Sequence, residues 1–162
     1  MECSHWTSPF HESLLESLGS ARPRSLVPPK PPFVPPMPRF VVLKHETPTG
    51  SARPLHWDFM VERGDVLQTW ALAEEPTVGR EIAAEPLADH RLAYLDYEGP
   101  ISGNRGSVTR WDRGECTILE ATPNGIRLTA KGRKLTGEVE IRSPLNAAST
   151  TTFRWFSLTP DP

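Results

Sequence analysis

Three residues in the first half of the chain have the types and the spacing of metal ligands. In the run from Leu55 to Glu62, strict alternation places His56 and Asp58 on one face of a strand, two positions apart. His45 ends the preceding strand-like run, and pairing of the two strands would bring its imidazole to the same cation. Two histidines and one carboxylate leave coordination positions open for water and substrate, as a catalytic metal requires. The sequence therefore predicts a metal site at His45, His56 and Asp58, with a surface hydrogen bond between His56 and Asp58 as the alternative.

The elements predicted around these ligands are short strands separated by turn residues. The face opposite the ligands carries Leu55, Trp57, Phe59 and Val61 and is predicted to be core. The fold class is mostly β, a compact antiparallel β-barrel of about eight or nine short strands with one or two short helices. The predicted strands span residues 40–45, 55–62, 66–72, 91–97, 106–111, 116–120, 125–130, 134–141 and 151–158, and the predicted helix spans 79–86.

The first 38 residues are predicted to be a disordered, proline-rich extension of a domain that spans residues 39–160. Eight prolines lie between Pro23 and Pro38, and each fixes φ and removes a backbone donor. Met37 immediately precedes the first strand and is a candidate for the true start of the protein. The alternative is a genuine proline-rich tether.

Charge and cysteine content restrict the setting in which the chain works. Six Lys or Arg face one Glu over residues 22–53, three face ten acids over 54–99, and eight face five acids over 100–142. An acidic middle between basic flanks suits a cation site beside a polyanion surface, and a merely solvated surface produces the same pattern. Cys3 and Cys116 form no paired motif, and no apolar run is long enough to span a membrane. The expected location is the cytoplasm, with no membrane contact.

Several blocks of sequence carry a resemblance to a known family. Phe40 to His45 reads FVVLKH, Arg53 to Phe59 reads RPLHWDF, and Val66 to Ala71 reads VLQTWA. Asp89 to Gly99 reads DHRLAYLDYEG, and Gly106 to Asp112 ends in a Trp-Asp pair. In this order the blocks resemble the 3′-phosphoesterase domain of bacterial DNA ligase D, in a stand-alone form. That family's pattern runs F-V-V-x-K-H, R-L-H-x-D-F-R-L-E, V-L-x-S-W-A and D-H-x-L-x-Y-x-D-F-E-G.

The resemblance implies a hydrolase of DNA repair by non-homologous end joining. Such an enzyme removes a 3′ phosphate or a 3′ ribonucleotide from DNA ends with a divalent metal, of which manganese is the expected one. His45, His56 and Asp58 match the metal ligands of the family. His90 and Tyr94 match residues placed against the scissile phosphate, and they are the candidate catalytic residues that steady charge or protonate the leaving oxygen.

Two positions depart from the family pattern. Met60 stands in place of the arginine that grips the phosphate, and Glu74 stands in place of a lysine. Alternation places Met60 on the face of the ligands, and the sequence predicts that it lies beside the open side of the metal. Arg53, Arg91 and Arg105 are the candidates to bind the substrate phosphate instead. The same losses favour an alternative function, a non-catalytic repair scaffold that binds DNA ends or metal.

A third hypothesis comes from a different class of protein. Two histidines and a carboxylate also form the iron site of Fe(II)/2-oxoglutarate oxygenases. The chain after Asp58 is short for that double-stranded β-helix, so this alternative ranks behind the other two. The expected partners are DNA 3′ ends, together with ligase or polymerase subunits that would act in trans.

Overall fold

The computed structural model describes residues 36–144 and 149–157. The predicted extension therefore lies outside the described residues up to position 35, and so does the predicted end of the domain at 158–160. The strands are β1 (Arg39–Glu46), β2 (His56–Arg63), β3 (Val66–Leu72), β4 (Glu81–Arg91), β5 (Gly99–Pro100), β6 (Ser107–Thr122), β7 (Gly125–Gly132), β8 (Thr136–Arg142) and β9 (Thr152–Phe156), and a 3₁₀ helix spans Leu92–Leu95.

All nine strands belong to one antiparallel sheet that closes nearly into a ring. The hydrogen-bonded order is β1-β2-β3-β4-β9-β8-β7-β6-β5, and β1 also pairs with β6. The 16-residue strand β6 makes this closure possible, because its first part pairs with β1 and its second part with β7. The predicted mostly β, antiparallel fold is confirmed. No helix in the described parts of the chain is long and apolar enough to cross a membrane.

The main core lies inside the ring. Alternate residues of eight strands contribute to a single buried cluster, so one face of every one of these strands points to the same interior. Trp57, Phe59 and Val61 belong to it, as predicted from the alternation in β2. Leu55 does not, because it precedes β2 and its side chain is 43% exposed.

A second, smaller apolar cluster lies on the outer face of β1, β2 and β3. Val41, Leu43, Met60 and Leu67 form its sheet side, and the segment after β4 covers them with residues that include Leu95 and Ile101. Met60 is only 1% exposed. The prediction that Met60 borders the open side of the metal is therefore wrong, because alternation fixed its face but not the cover over that face.

Four predicted elements differ from the structure. Residues 79–86 do not form a helix, since the chain enters β4 at Glu81 and buries Ile82 and Ala84 in the strand alternation of an antiparallel pair with β3. The predicted strand over 91–97 is a 3₁₀ helix. The two predicted strands over 106–111 and 116–120 are one continuous strand, β6.

Candidate metal centre

The antiparallel pairing of β1 and β2 brings the three predicted ligands together. His45 and His56 are directly paired across the two strands, and Asp58 follows His56 on the same face. Their ligand atoms all lie within 4.8 Å of one another. Nδ1 of His45 is 3.3 Å from Oδ2 of Asp58, and Nε2 of His56 is 3.4 Å from Oδ1. His56 and Asp58 are buried, and His45 is partly buried.

Backbone carbonyls orient both imidazole rings. Nδ1 of His56 lies 2.7 Å from the carbonyl oxygen of Pro54, and Nε2 of His45 lies 2.8 Å from that of Arg105. A carbonyl only accepts hydrogen bonds, so each of these nitrogens carries the N–H. In a neutral ring the other nitrogen is then a lone pair, and on both rings it faces Asp58. Metal-ligating histidines are oriented in this way by an outer hydrogen bond.

The carboxylate of Asp58 has only the two imidazoles as partners. Asp58 is 4% exposed; its Oδ2 lies 3.3 Å from Nδ1 of His45, and its Oδ1 lies 3.4 Å from Nε2 of His56, too poorly aligned for a well-formed hydrogen bond. A buried carboxylate beside two nitrogen lone pairs is electrostatically unfavourable unless a proton or a cation lies between them. Two imidazoles and one carboxylate also form a donor set that first-row divalent metals accept. The three residues therefore fit a metal ion, and this group could hold one.

The pKa values describe the same electrostatics without a metal. Burial alone would raise the pKa of Asp58, but hydrogen bonds from His45 and His56 and their positive charge lower it to about 2. The hydrogen bond to Asp58 raises the pKa of His45 against the opposing effect of burial. The carboxylate is thus ionised at neutral pH and attracts whatever positive charge is present.

The structure brings His90 and Tyr94 together but not up to the three ligands. Their rings are 5.3 Å apart, and Tyr97 lies 5.7 Å beyond Tyr94. His90 is opposite Leu67 of β3, whereas Asp58 is opposite Ala71, four positions along the strand. At the usual strand rise this separation is roughly 13 Å. The three ligands and the His90–Tyr94 pair lie on the same outer face of the sheet. Met60, which is opposite Thr69 of β3, lies between them along the strand direction.

Of the three candidate arginines, the structure brings two to the metal centre. Arg53 and Arg105 line a cleft of about 820 Å³ that also includes His45 and His56. Arg105 donates from Nε to the Ser102 carbonyl at 2.8 Å, so its own loop holds it. Arg91 ends β4 opposite Val66 and does not line this cleft.

Sequence reasoning missed two residues at this site, Glu85 and Gly106. Glu85 binds Arg53, with Nη2 to Oε1 at 2.6 Å and Nε to Oε2 at 3.1 Å. It fell in the wrongly predicted helix, and the alternation from Ile82 to Ala84 was the signal that could have placed it on a strand. Gly106 has a φ of +90°, and a Cβ there would lie 1.9 Å from the carbonyl oxygen of Glu46. Only glycine allows this loop to approach β1 so closely, and the approach brings the Arg105 carbonyl to His45.

Glu74, the second departure from the family pattern, forms an exposed ion pair with Arg80. Its charge is balanced within its own turn. Neither Glu74 nor Met60 lines the cleft beside the metal ligands.

The residues of this domain match a family of phosphoesterase domains. The DNA Ligase D 3'-phosphoesterase domain family matches residues 44–142, which include all three metal ligands as well as His90 and Tyr94. The chain belongs to this family. Membership supports a role in processing DNA ends and decides against the oxygenase hypothesis.

A curated relative is the multifunctional non-homologous end joining protein LigD of Pseudomonas aeruginosa. The two proteins are 33% identical over 109 residues, a stretch that covers 61% of this chain and 12% of the relative. The chain therefore matches only a small part of that multifunctional protein.

Proposed function

We propose that the protein is a divalent-metal-dependent phosphoesterase that removes a 3′ phosphate or a 3′ ribonucleotide from DNA ends during repair. The observation that carries this proposal is the buried Asp58 carboxylate, whose Oδ1 makes no well-formed hydrogen bond and which faces two histidines oriented by backbone carbonyls. All three ligands lie inside the segment that the phosphoesterase family matches.

The proposed roles of the residues follow from their surroundings. His45, His56 and Asp58 would hold the metal, and manganese is its proposed identity because the resemblance to the family implies it. When bound, such an ion polarises a phosphoryl oxygen and lowers the pKa of a water molecule. His90 and Tyr94, whose rings are 5.3 Å apart, are the catalytic candidates that the family resemblance implies. The strand position of His90, four residues along the sheet from Asp58, does not bring this pair to the three ligands, so we assign no proton transfer to it.

One observation favours a second candidate function, a non-catalytic scaffold that binds DNA ends or metal. Met60 is buried in an apolar cluster and Glu74 is paired with Arg80, so neither position offers a cation to a phosphate. A phosphoesterase without these two donors would lose charge-assisted contacts to its transition state. The scaffold would keep the metal centre and lack turnover.

A single assay separates the two candidates. The full chain is incubated with a labelled primer-template that ends in a 3′ phosphate or in one ribonucleotide, with manganese or with a chelator. A phosphoesterase produces a 3′ hydroxyl end only when manganese is present, and its His56→Ala variant produces none. A scaffold binds the DNA end and releases it unchanged under both conditions.

The partners and the setting are proposed from the same family. DNA 3′ ends are the proposed partner, with ligase or polymerase subunits acting in trans as the family resemblance implies. The proposed location is the cytoplasm, which suits the free and buried thiol of Cys116.

A further inference from the structure

The Arg53–Glu85 ion pair stands beside the metal centre and is open to solvent. Its two hydrogen bonds join one edge of the guanidinium, formed by Nε and Nη2, to both carboxylate oxygens, and the side chains are 38% and 62% exposed. Arg53 follows β1 in the loop to β2, whereas Glu85 belongs to β4. Among the described residues, Glu85 is the only hydrogen-bond partner of this guanidinium, and because the pair is exposed to water another anion can compete for it.

The cleft that contains the pair has the size and lining of a nucleotide site. Its volume of about 820 Å³ lies within the usual range for small-molecule sites, roughly 300–1,000 Å³. His45 and His56 form one end, and Arg53, Glu85 and Arg105 form its charged rim. The lining also includes three alanines whose small size leaves room for a flat base: Ala71, Ala73 and Ala83.

The position next to Asp58 on the outer face of β2 offers no cation to a phosphate. It is Met60, which is buried under Leu95 and Ile101. On the cleft side, Arg53 lines the same cleft as His45 and His56, and its carboxylate partner Glu85 is one that a substrate phosphate can replace.

We propose that Glu85 is an internal substitute for the substrate phosphate, and that the phosphate of a DNA 3′ end displaces Glu85 from Arg53 when the terminal nucleotide enters the cleft. This inference rests on the proposed function. Arg53 makes the phosphate contact that Met60 does not make. Before the substrate binds, Glu85 holds the Arg53 side chain in place and lowers the affinity of the cleft for weaker anions.

Fluorescence anisotropy in chelator tests this exchange without turnover. The probes are one labelled oligonucleotide duplex that ends in a 3′ phosphate and the same duplex with a 3′ hydroxyl. Glu85→Gln and Arg53→Gln are compared with Glu81→Gln and Arg154→Gln. The Glu81–Arg154 pair is a matched control, because it is also exposed, joins at 3.1 Å and shares β4 but does not line the cleft.

Glu85→Gln should raise affinity for the 3′-phosphate probe by about 2- to 5-fold relative to the 3′-hydroxyl probe, the range expected for freeing one exposed pair. Arg53→Gln should lower it by about 10-fold, as loss of a charge-assisted contact does. The control variants should change both probes equally. Equal gains from Glu81→Gln and Glu85→Gln, or unchanged binding by a folded Arg53→Gln protein, would overturn the proposal.

The design separates this inference from the proposed function. If the wild-type protein cleaves 3′ ends with manganese while the Arg53 and Glu85 variants bind the probes as the wild type does, only the exchange is refuted. If the end-specific effects appear but neither manganese binding nor cleavage is measured, the anion site stands and the enzymatic function fails. A wild-type protein that does not distinguish the two probes refutes the exchange.

Discussion

At the scale of single residues, Asp58 determines what the outer face of the sheet can bind. Its buried carboxylate attracts a proton or a metal ion, and the two histidines are already turned toward it. Because the carbonyl partners of both rings belong to the backbone, this orientation does not depend on a bound ion. The metal centre is therefore preorganised.

Substitution of a ligand should remove manganese binding. We expect Asp58→Asn or His56→Ala to weaken the affinity by about 100-fold or more, since loss of outer partners alone costs 10- to 100-fold. Isothermal titration calorimetry measures this affinity. His90→Ala is the control, and it should bind manganese as the wild type does because it lies four positions further along the sheet. Undiminished binding by both ligand variants would contradict the assignment.

The residue types of this site could be predicted from the sequence, but their surroundings could not. Alternation in β2 correctly placed His56 and Asp58 on one face. The contacts of the Pro54 and Arg105 carbonyls with the two imidazoles could not be predicted, because every residue has a carbonyl and the sequence does not show which ones lie beside a histidine. Met60 was misplaced for a related reason: periodicity gives the face of a residue and not the segment that covers it.

At the scale of elements, the loop from Ile101 to Gly106 orients His45. The backbone N–H of Ile101 donates to the Gly106 carbonyl at 2.8 Å, which closes the loop beside the end of β1. Gly106 touches the Glu46 backbone, and the neighbouring Arg105 carbonyl reaches His45.

Gly106→Ala should loosen the metal centre without touching a ligand. The new Cβ would clash with the Glu46 carbonyl, so the loop must retreat and withdraw the acceptor from His45. We expect manganese affinity to fall by about 10-fold or more. Gly103→Ala is a matched control in the same loop, since Gly103 also has a positive φ but its nearest neighbour would be 3.9 Å away. Equal losses in the two variants would assign the effect to backbone strain alone.

Asp112 fixes the turn between β7 and β8. Its carboxylate accepts backbone N–H donors from Arg133, Lys134 and Leu135 at 2.7–3.0 Å, and it is 4% exposed. Asp112 is the second residue of the Trp-Asp pair in the family pattern, and the structure gives it a structural role.

Asp112→Ala should lower the free energy of unfolding by about 2–4 kcal/mol, because it leaves buried donors without an acceptor. Denaturation in urea measures the change. Asp112→Asn keeps one acceptor oxygen and should lose less, and Asp89→Ala, on the exposed part of β4, should change little. A loss of stability in Asp89→Ala equal to that in Asp112→Ala would refute the role of the turn.

Element boundaries were harder to predict than element types. Six of the nine predicted strands correspond closely to β1, β2, β3, β7, β8 and β9. The segment 79–86 failed because its mixture of Glu, Ala and Ile suits a helix locally, and only pairing with β3 makes it a strand. The long β6 was divided because Arg113 and Gly114 resemble a turn when their partners in β1 and β7 are unknown.

At the scale of the whole molecule, the nine strands of the described residues close nearly into a ring. Just before β1, the carbonyl of Pro38 accepts from the Cys116 N–H at 2.8 Å. Phe40 is the first fully buried residue of the core.

Deletion of residues 1–35 should leave the melting temperature within about 5 °C of that of the full chain, since proline-dense segments bury little apolar surface. Differential scanning calorimetry measures it. Deletion of residues 1–40 is the contrasting variant, because it removes both the Pro38 carbonyl and Phe40, and it should abolish cooperative unfolding. A larger fall in the shorter deletion would show that the proline-rich segment stabilises the domain.

The separation of His45 from Arg105 along the chain has a kinetic consequence. Sixty positions lie between the imidazole and the carbonyl that orients it, and β1 meets β6 only when the ring closes. Contacts between such distant parts of a chain form slowly. We therefore expect the carbonyl partner of His45 to reach the imidazole late in folding, after the local pairing of β1 and β2 has brought the three ligands together.

An ion that recognises only the closed ring stabilises the native state without speeding the search for it. Manganese should therefore lower the unfolding rate in stopped-flow denaturant jumps and leave the refolding rate unchanged. Acceleration of refolding would mean that the ion binds the ligands before closure. If closure comes first, a metal ion would bind only after the chain has folded. The bound ion would then lower the unfolding rate and so prolong the lifetime of the folded protein.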